Sequence, residues 1–380
     1  MYAITNGRIV LPDSVVSGRA LLFDEKIVGI VPVEQVPPQA EVLDAQNGYV
    51  CPGLIDLHIH GYLGKDASDT DLQGVRTIAE GIAQNGVTGF LPTTMTVGYD
   101  TLEAAFAVLR AAKRVSKGDA WDGAQVLGVN AEGPFINAKK KGAQAEEHVH
   151  APDVAFIQKH ADVIRLCTVA PDVPGALEFI REVRATTDVR VSMGHTAASY
   201  DQAMAGADAG ATHVTHLFNA MSPLNHREPG MPGAALSCKT LYTEMICDTF
   251  HVHPAMFGPV LAAKGDHLVL ITDCLSAGGL PDGQYTLGGE DVIRTGIECR
   301  LKDGTIAGSV LTLNQGVANL MKYAGAPVHQ AVFAASLAPA RAIGVDAFKG
   351  SLEAGKDADV WLADEGMNAR AVFLRGRRIR

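Results

Sequence analysis

Cysteine is sparse and scattered in this chain. Its six cysteines (Cys51, Cys167, Cys238, Cys247, Cys274 and Cys299) include no Cys-x-x-Cys pair. That spacing excludes a small disulfide scaffold or a cysteine-built zinc cluster, and it reads as the reduced thiols of a cytoplasmic protein. No apolar run reaches the roughly eighteen residues needed to cross a bilayer, and residues 1–6 lack the features of a secretory signal. Positive charge is also in deficit. Thirty-two Lys and Arg face 42 Asp and Glu, for a net charge of −10, which argues against a nucleic-acid partner. There is no low-complexity tract and no repeat of fixed period. What is present is ample apolar material: 47% of the 380 residues are hydrophobic, enough for a large core.

The chain ends differ from the middle. Residues 3–10 and 20–30 read as short strands joined by turns, and residues 358–363 and 370–379 repeat that character. Neither end holds enough strands for a stable sheet, so 1–47 and 350–380 are expected to pair into one small, discontinuous β-sandwich domain. The middle, 48–349, alternates. Apolar β runs at 54–60, 87–94, 126–132, 164–170, 189–195, 212–216, 244–248 and 268–273 are interspersed with helical periodicity at 102–114, 176–184, 200–209 and 254–263. Later helices are expected near 313–323 and 328–337. Eight such runs predict an α/β fold, a (β/α)8 barrel. A doubly wound open sheet is the competing fold, but no Gly-x-Gly-x-x-Gly follows the first run to form its nucleotide crevice.

In such a barrel, reactive residues collect at the C-terminal strand ends. The first run ends in His58-Ile59-His60, whose two imidazoles share one strand face because side chains alternate. Buried rings need partners for both nitrogens, and a metal ion often serves. The other runs end in or lead to Glu132, His195, His216, His251 and Asp273. Neutral imidazoles with one carboxylate suit Zn2+ or Fe2+, with a position left open for water. Glu132, His195 and His216 are the expected core ligands, and His58 and His60 hold a second ion or shape the first site. Asp273 is the expected acid/base. It would take a proton from water made acidic by the metal and later pass it to the leaving group. The bland alternatives are satisfied core histidines, a helix-capping Glu132 and a turn-forming Asp273. His213, an odd number of residues from His216, is expected to face the helices.

The segment Pro52 to Gly61 resembles the first-strand signature of the amidohydrolase superfamily. The segments Glu132-Gly133-Pro134-Phe135, Gly194-His195-Thr196, 215–221, 227–230, Asp248 to His251, Thr272-Asp273 and Ala307-Gly308-Ser309 resemble its N-acetylglucosamine-6-phosphate deacetylase family. The resemblance implies metal-dependent deacetylation of an amino-sugar phosphate by a homodimer, with one or two divalent ions per subunit, Zn2+ or alternatively Fe2+. It further implies sugar-phosphate contacts from Asn219 and Ala220, and phosphate binding by Arg227 from the neighbouring subunit. His251 would polarise the acetyl carbonyl, while Ala143, Gln144 and the Ile306-Ala307-Gly308 segment would line the substrate site. Gln144 stands where many members carry a substrate-contacting histidine. Three other readings remain: a different amidohydrolase reaction, such as cyclic-amide hydrolysis or deamination, a different N-acetylated amino-sugar phosphate as substrate, and a non-catalytic sugar-phosphate sensor.

Overall fold

Eight parallel strands carry the centre of the molecule, in a computed structural model that describes residues 1–380. They are β1 (Leu54–Ile59), β2 (Val87–Thr94), β3 (Val129–Glu132), β4 (Ile164–Val169), β5 (Arg190–Met193), β6 (His213–Val214), β7 (Tyr242–Ile246) and β8 (Leu268–Ile271). Each pairs in parallel with the next in chain order from β1 to β8. Closure falls just beyond the last ladder: Asp273 N donates to His58 O, and His60 N donates to Cys274 O, both at 2.8 Å. All eight expected runs are therefore strands of one barrel. The run at 126–132 is interrupted, with a separate two-residue strand at Gln125–Val126, and only two residues of the sixth run are regular.

β1 contributes to both sides of the barrel wall. Ile55 and Leu57 join Leu91, Val269 and Ile271 in an apolar cluster with Phe333, Leu337 and Ile343, where helices Val328–Ala334 and Leu337–Ala342 cover the barrel. The β1–β2 register shifts between Asp56 and Ile59, so Asp56 turns toward Ile82 and Leu313 of the surrounding helices while His58 and His60 meet Glu132 inside the mouth. Helices Tyr99–Val115, Ala176–Thr186, Tyr200–Ala209 and Leu313–Ala324 match expected periodicity. Periodicity did not mark Leu72–Ala83, Val154–His160 or Gly230–Ser237.

Both chain ends contribute sheet. A four-stranded sheet holds Tyr2–Thr5, Arg19–Phe23, Ile27–Pro32 and Glu41–Asp44. A six-stranded sheet joins Arg8–Val10, Val15–Val16 and Tyr49–Pro52 to Val360–Ala363, Ala369–Leu374 and Arg377–Arg378. Ile4, Leu21 and Phe23 from the first sheet pack with Ile9, Val50, Val360 and Phe373 from the second. The chain passes from sheet to barrel at Gly53, where a Cβ would lie 2.0 Å from Thr88 Oγ1, so only glycine fits. A further antiparallel sheet, Gly283–Leu287, Glu290–Thr295 and Glu298–Leu301, follows β8 and was not expected from the sequence.

Candidate active site at the barrel mouth

Glu132 closes β3 inside the barrel mouth, fully surrounded by imidazoles. Its Oε1 lies 2.9 Å from His216 Nε2, 3.1 Å from His195 Nε2 and 3.2 Å from His58 Nε2. Its Oε2 lies 3.2 Å from His60 Nε2. Asp273 Oδ1 completes the group, 3.2 Å from His60 Nε2. The five residues first singled out as ligands thus form two overlapping sets, His58–His60–Glu132 and Glu132–His195–His216, with Glu132 common to both.

Backbone conformation brings them together. His195, His216 and Asp273 each stand two residues past the last regular residue of their strands, and all have positive φ (46°, 26° and 51°). Non-glycine residues adopt that region at a cost of about 1–3 kcal/mol each, so the surrounding contacts must impose it.

Three of the four outer nitrogens are anchored, and His216 Nδ1 is buried without a partner. His58 Nδ1 donates to Glu244 Oε2 (3.1 Å), His60 Nδ1 to the Thr93 carbonyl (3.1 Å), and His195 Nδ1 to the Lys140 carbonyl (2.9 Å). With Nδ1–H spent, a neutral ring turns the lone pair of Nε2 toward Glu132 and toward its neighbour. His58 and His60 then meet Nε2 to Nε2 at 3.3 Å, and His195 and His216 at 3.1 Å. Between His58 and His60 two lone pairs face one another, and at that range they require a cation or a proton between them. Protonation follows the same logic: burial alone would push His60 down, yet Asp273 and Glu132 hold it up at about 9. Burial would likewise raise Glu132, but His58 and His195 keep it well below the usual carboxylate range. The donor set therefore fits a divalent metal, and its mixture of nitrogen and carboxylate oxygen is of the zinc or ferrous type.

Two further groups face the mouth. Asp273 opposes burial with the charges of His60 and His58, which hold its pKa below the ordinary value. His251 Nδ1 lies 2.6 Å from Asp248 Oδ2, while Asp248 Oδ1 accepts from the backbone N–H of Phe250 and His251. Burial disfavours the His251 imidazolium, but that carboxylate outweighs it and raises the pKa. Asp248 thus fixes Nδ1 of a ring that lines the cavity.

A cavity of about 310 Å³ opens over these residues, lined also by Ala143, Gln144, Asn219, Ala220, Ile306 and Gly308. The residues that the resemblance implies do not all line it. Ala307 is fully buried, its N–H tied to the Cys299 carbonyl, so it stands behind the wall and not in it. Arg227 is exposed and lies in a separate hollow beside Tyr200 and Glu228, outside the cavity of its own subunit. Gln144 lines the cavity, but both ends of its amide are bound by protein: Nε2 donates to Glu132 Oε2, and Oε1 accepts from Thr96 N, each at 2.6 Å. His213 is buried away from the cluster, and burial pushes it down to about 3.

Residues 49–379 match the Amidohydrolase family model. The chain belongs to the amidohydrolase family. Among curated relatives, it is 38% identical to N-acetylgalactosamine-6-phosphate deacetylase of Escherichia coli O157:H7, over 92% of each chain. It is 35% identical to N-acetylglucosamine-6-phosphate deacetylase of Bacillus subtilis (strain 168), over 90% of this chain and 87% of that one. The crystal structure of the Pasteurella multocida N-acetylglucosamine-6-phosphate deacetylase superposes with a TM-score of 0.92 at 31% identity, covering 99% of each chain. The resemblance read from short motifs thus extends over the whole amidohydrolase chain.

Sequence reasoning missed Glu244, Asp248 as the partner of His251, and the Lys140 carbonyl. The first had a signal: a carboxylate inside the apolar strand Tyr242–Ile246, the same oddity that exposed Glu132. The Lys140 contact has none, because any residue carries a carbonyl.

Proposed function

We propose that this amidohydrolase removes the acetyl group of N-acetylglucosamine 6-phosphate, releasing glucosamine 6-phosphate and acetate. The observation that carries the reading is the convergence of Glu132 with four imidazole Nε2 atoms beside Asp273, at the floor of a sugar-sized cavity. A divalent ion bound there, Zn2+ or alternatively Fe2+ and one or two per subunit, supplies Lewis acidity that makes water a nucleophile near neutral pH. Glu132, His195 and His216 hold it, with His58 and His60 completing a second position.

Asp273, ionised and at the cavity floor, accepts a proton from the attacking water. It then returns the proton to the departing amine nitrogen, which breaks the C–N bond. His251 donates from Nε2 to the acetyl oxygen as negative charge develops there, an electrostatic role of the oxyanion-hole type. Asn219, Ala220, Ala143, Ile306 and Gly308 contact the sugar. Arg227, which lines a hollow outside its own subunit's cavity, binds the 6-phosphate in the neighbouring subunit of a homodimer through bidentate hydrogen bonds. Six unpaired cysteines support a cytoplasmic location. Residues 1–47 plus 350–380 form, together with the strand Tyr49–Pro52, a discontinuous β unit beside the barrel.

A second reading has its own support. The relative that is 38% identical is named for the galactosamine epimer, so N-acetylgalactosamine 6-phosphate is the competing substrate. Acetate release should be assayed with both phosphorylated epimers and with unphosphorylated N-acetylglucosamine. Chelation should abolish the activity, and divalent metal should restore it. Activity that survives complete chelation, or that ignores the phosphate, would refute the proposal.

A further inference from the structure

Residues 137–144 grip the metal ligands from outside the barrel. Asn137 N donates to the His195 carbonyl (2.9 Å), and the Lys140 carbonyl receives His195 Nδ1–H. Gly142, at φ 57°, turns the chain over His195, whose Cε1 would lie 3.6 Å from a Cβ there. The turn is closed by Gln144 N to the Lys141 carbonyl (3.0 Å) and by Lys141 Nζ to the Gln144 carbonyl (3.2 Å). It delivers the buried Gln144 amide to Glu132.

The orientation of that amide follows from its partners. A backbone N–H can only donate, so the atom 2.6 Å from Thr96 N is the carbonyl oxygen. An ionised carboxylate can only accept, so the atom 2.6 Å from Glu132 Oε2 is the NH2 group. The neutral amide therefore holds one carboxylate oxygen on the His60 side. That leaves Oε1 aimed at His195 and His216. Nothing else donates to Glu132 except imidazoles that would themselves be metal ligands.

We infer that Gln144 is a positioning residue, whose side-chain N–H fixes the Glu132 carboxylate for metal binding and so sets the metal affinity of the centre. This rests on the metal-site reading above but not on the identity of the substrate. Outer-shell hydrogen bonds to metal ligands are worth about 10–100-fold in affinity.

The test is a chelator-competition titration of wild type, Gln144→Met and Gln144→Ala with Co2+, following its visible absorption. Methionine keeps the length and loses the donor. Alanine serves if methionine does not fold, as judged by circular dichroism and Tm. The variants are expected to bind Co2+ about 10–100-fold more weakly, with an altered band shape. Weakening below about fivefold in a folded variant, or an unchanged band, overturns the inference. The titration uses no substrate. A wild type that binds Co2+ yet releases no acetate would sink the functional reading alone.

Discussion

Two of the places where the molecule buries charge are completed in opposite ways. Where the chain ends meet the barrel, Lys349 Nζ lies 2.6 Å from Asp359 Oδ2 and 3.0 Å from Asp357 Oδ2, and its side chain is only 1% exposed. The chain supplies both signs there. Burial would push Lys349 down, but Asp359 and Asp357 hold it above its usual value. At the barrel mouth, carboxylates and ring nitrogens face one another with no lysine or arginine among them. The seam is a closed set of charges. The mouth is built to take its cation from solution, which is what lets a reaction run there.

Asp273→Asn should separate the two most sharply. Turnover is expected to fall by about 10²–10⁴, the usual worth of a general acid–base, with metal content by elemental analysis unchanged. Normal turnover would remove Asp273 from the mechanism. Lys349→Ala should do the reverse. It leaves buried Asp359 without its cation, while Asp357 keeps Lys26 at 2.6 Å, at a cost of about 3–5 kcal/mol in denaturant unfolding, with metal stoichiometry the same. Loss of metal in a folded Lys349→Ala protein would mean the two regions are coupled.

The smallest expected effect concerns pH. Asp357, held below its ordinary pKa chiefly by Lys349 against burial, stabilises above about pH 4; that contribution is lost as pH falls through its lowered native value. Lys349, with a raised pKa, stabilises below about pH 10 and loses that contribution as pH rises through its native value. The Tm difference between wild type and Lys349→Ala should therefore be flat between about pH 5 and 9. Metal at the mouth competes with protons for the imidazoles, so bound metal should decline over the lower part of that same interval. A metal content that stays level while the Tm difference changes would invert the comparison.

Much of this was legible in residue types and spacing. Apolar runs ending in His, Glu or Asp marked both the strands and the ligands, because a polar group at the end of a buried strand needs a reason to be there. Other features carried weak signals. The hairpin after β8 was announced only by Gly288-Gly289, both at positive φ, a two-residue turn easily passed over in a loop. The two-residue β6 left His216 placed by its turn and not by strand parity. The helices Leu72–Ala83 and Gly230–Ser237 were missed as well, although the first begins with a regular Asp71 cap.

The sequence alone determined the chemistry: which side chains could bind a metal or carry a proton, and the alternation that forces a barrel to hold them. Only the tertiary structure decided which atoms are free. The outer nitrogen of His195 is spent on a carbonyl, Gln144 on Glu132 and Thr96, and His251 on Asp248. Arg227 lines a hollow separate from its own subunit's cavity. Hydrogen-bond partners far apart in the chain are set by how the loops close over the barrel, and residue spacing does not encode that closure.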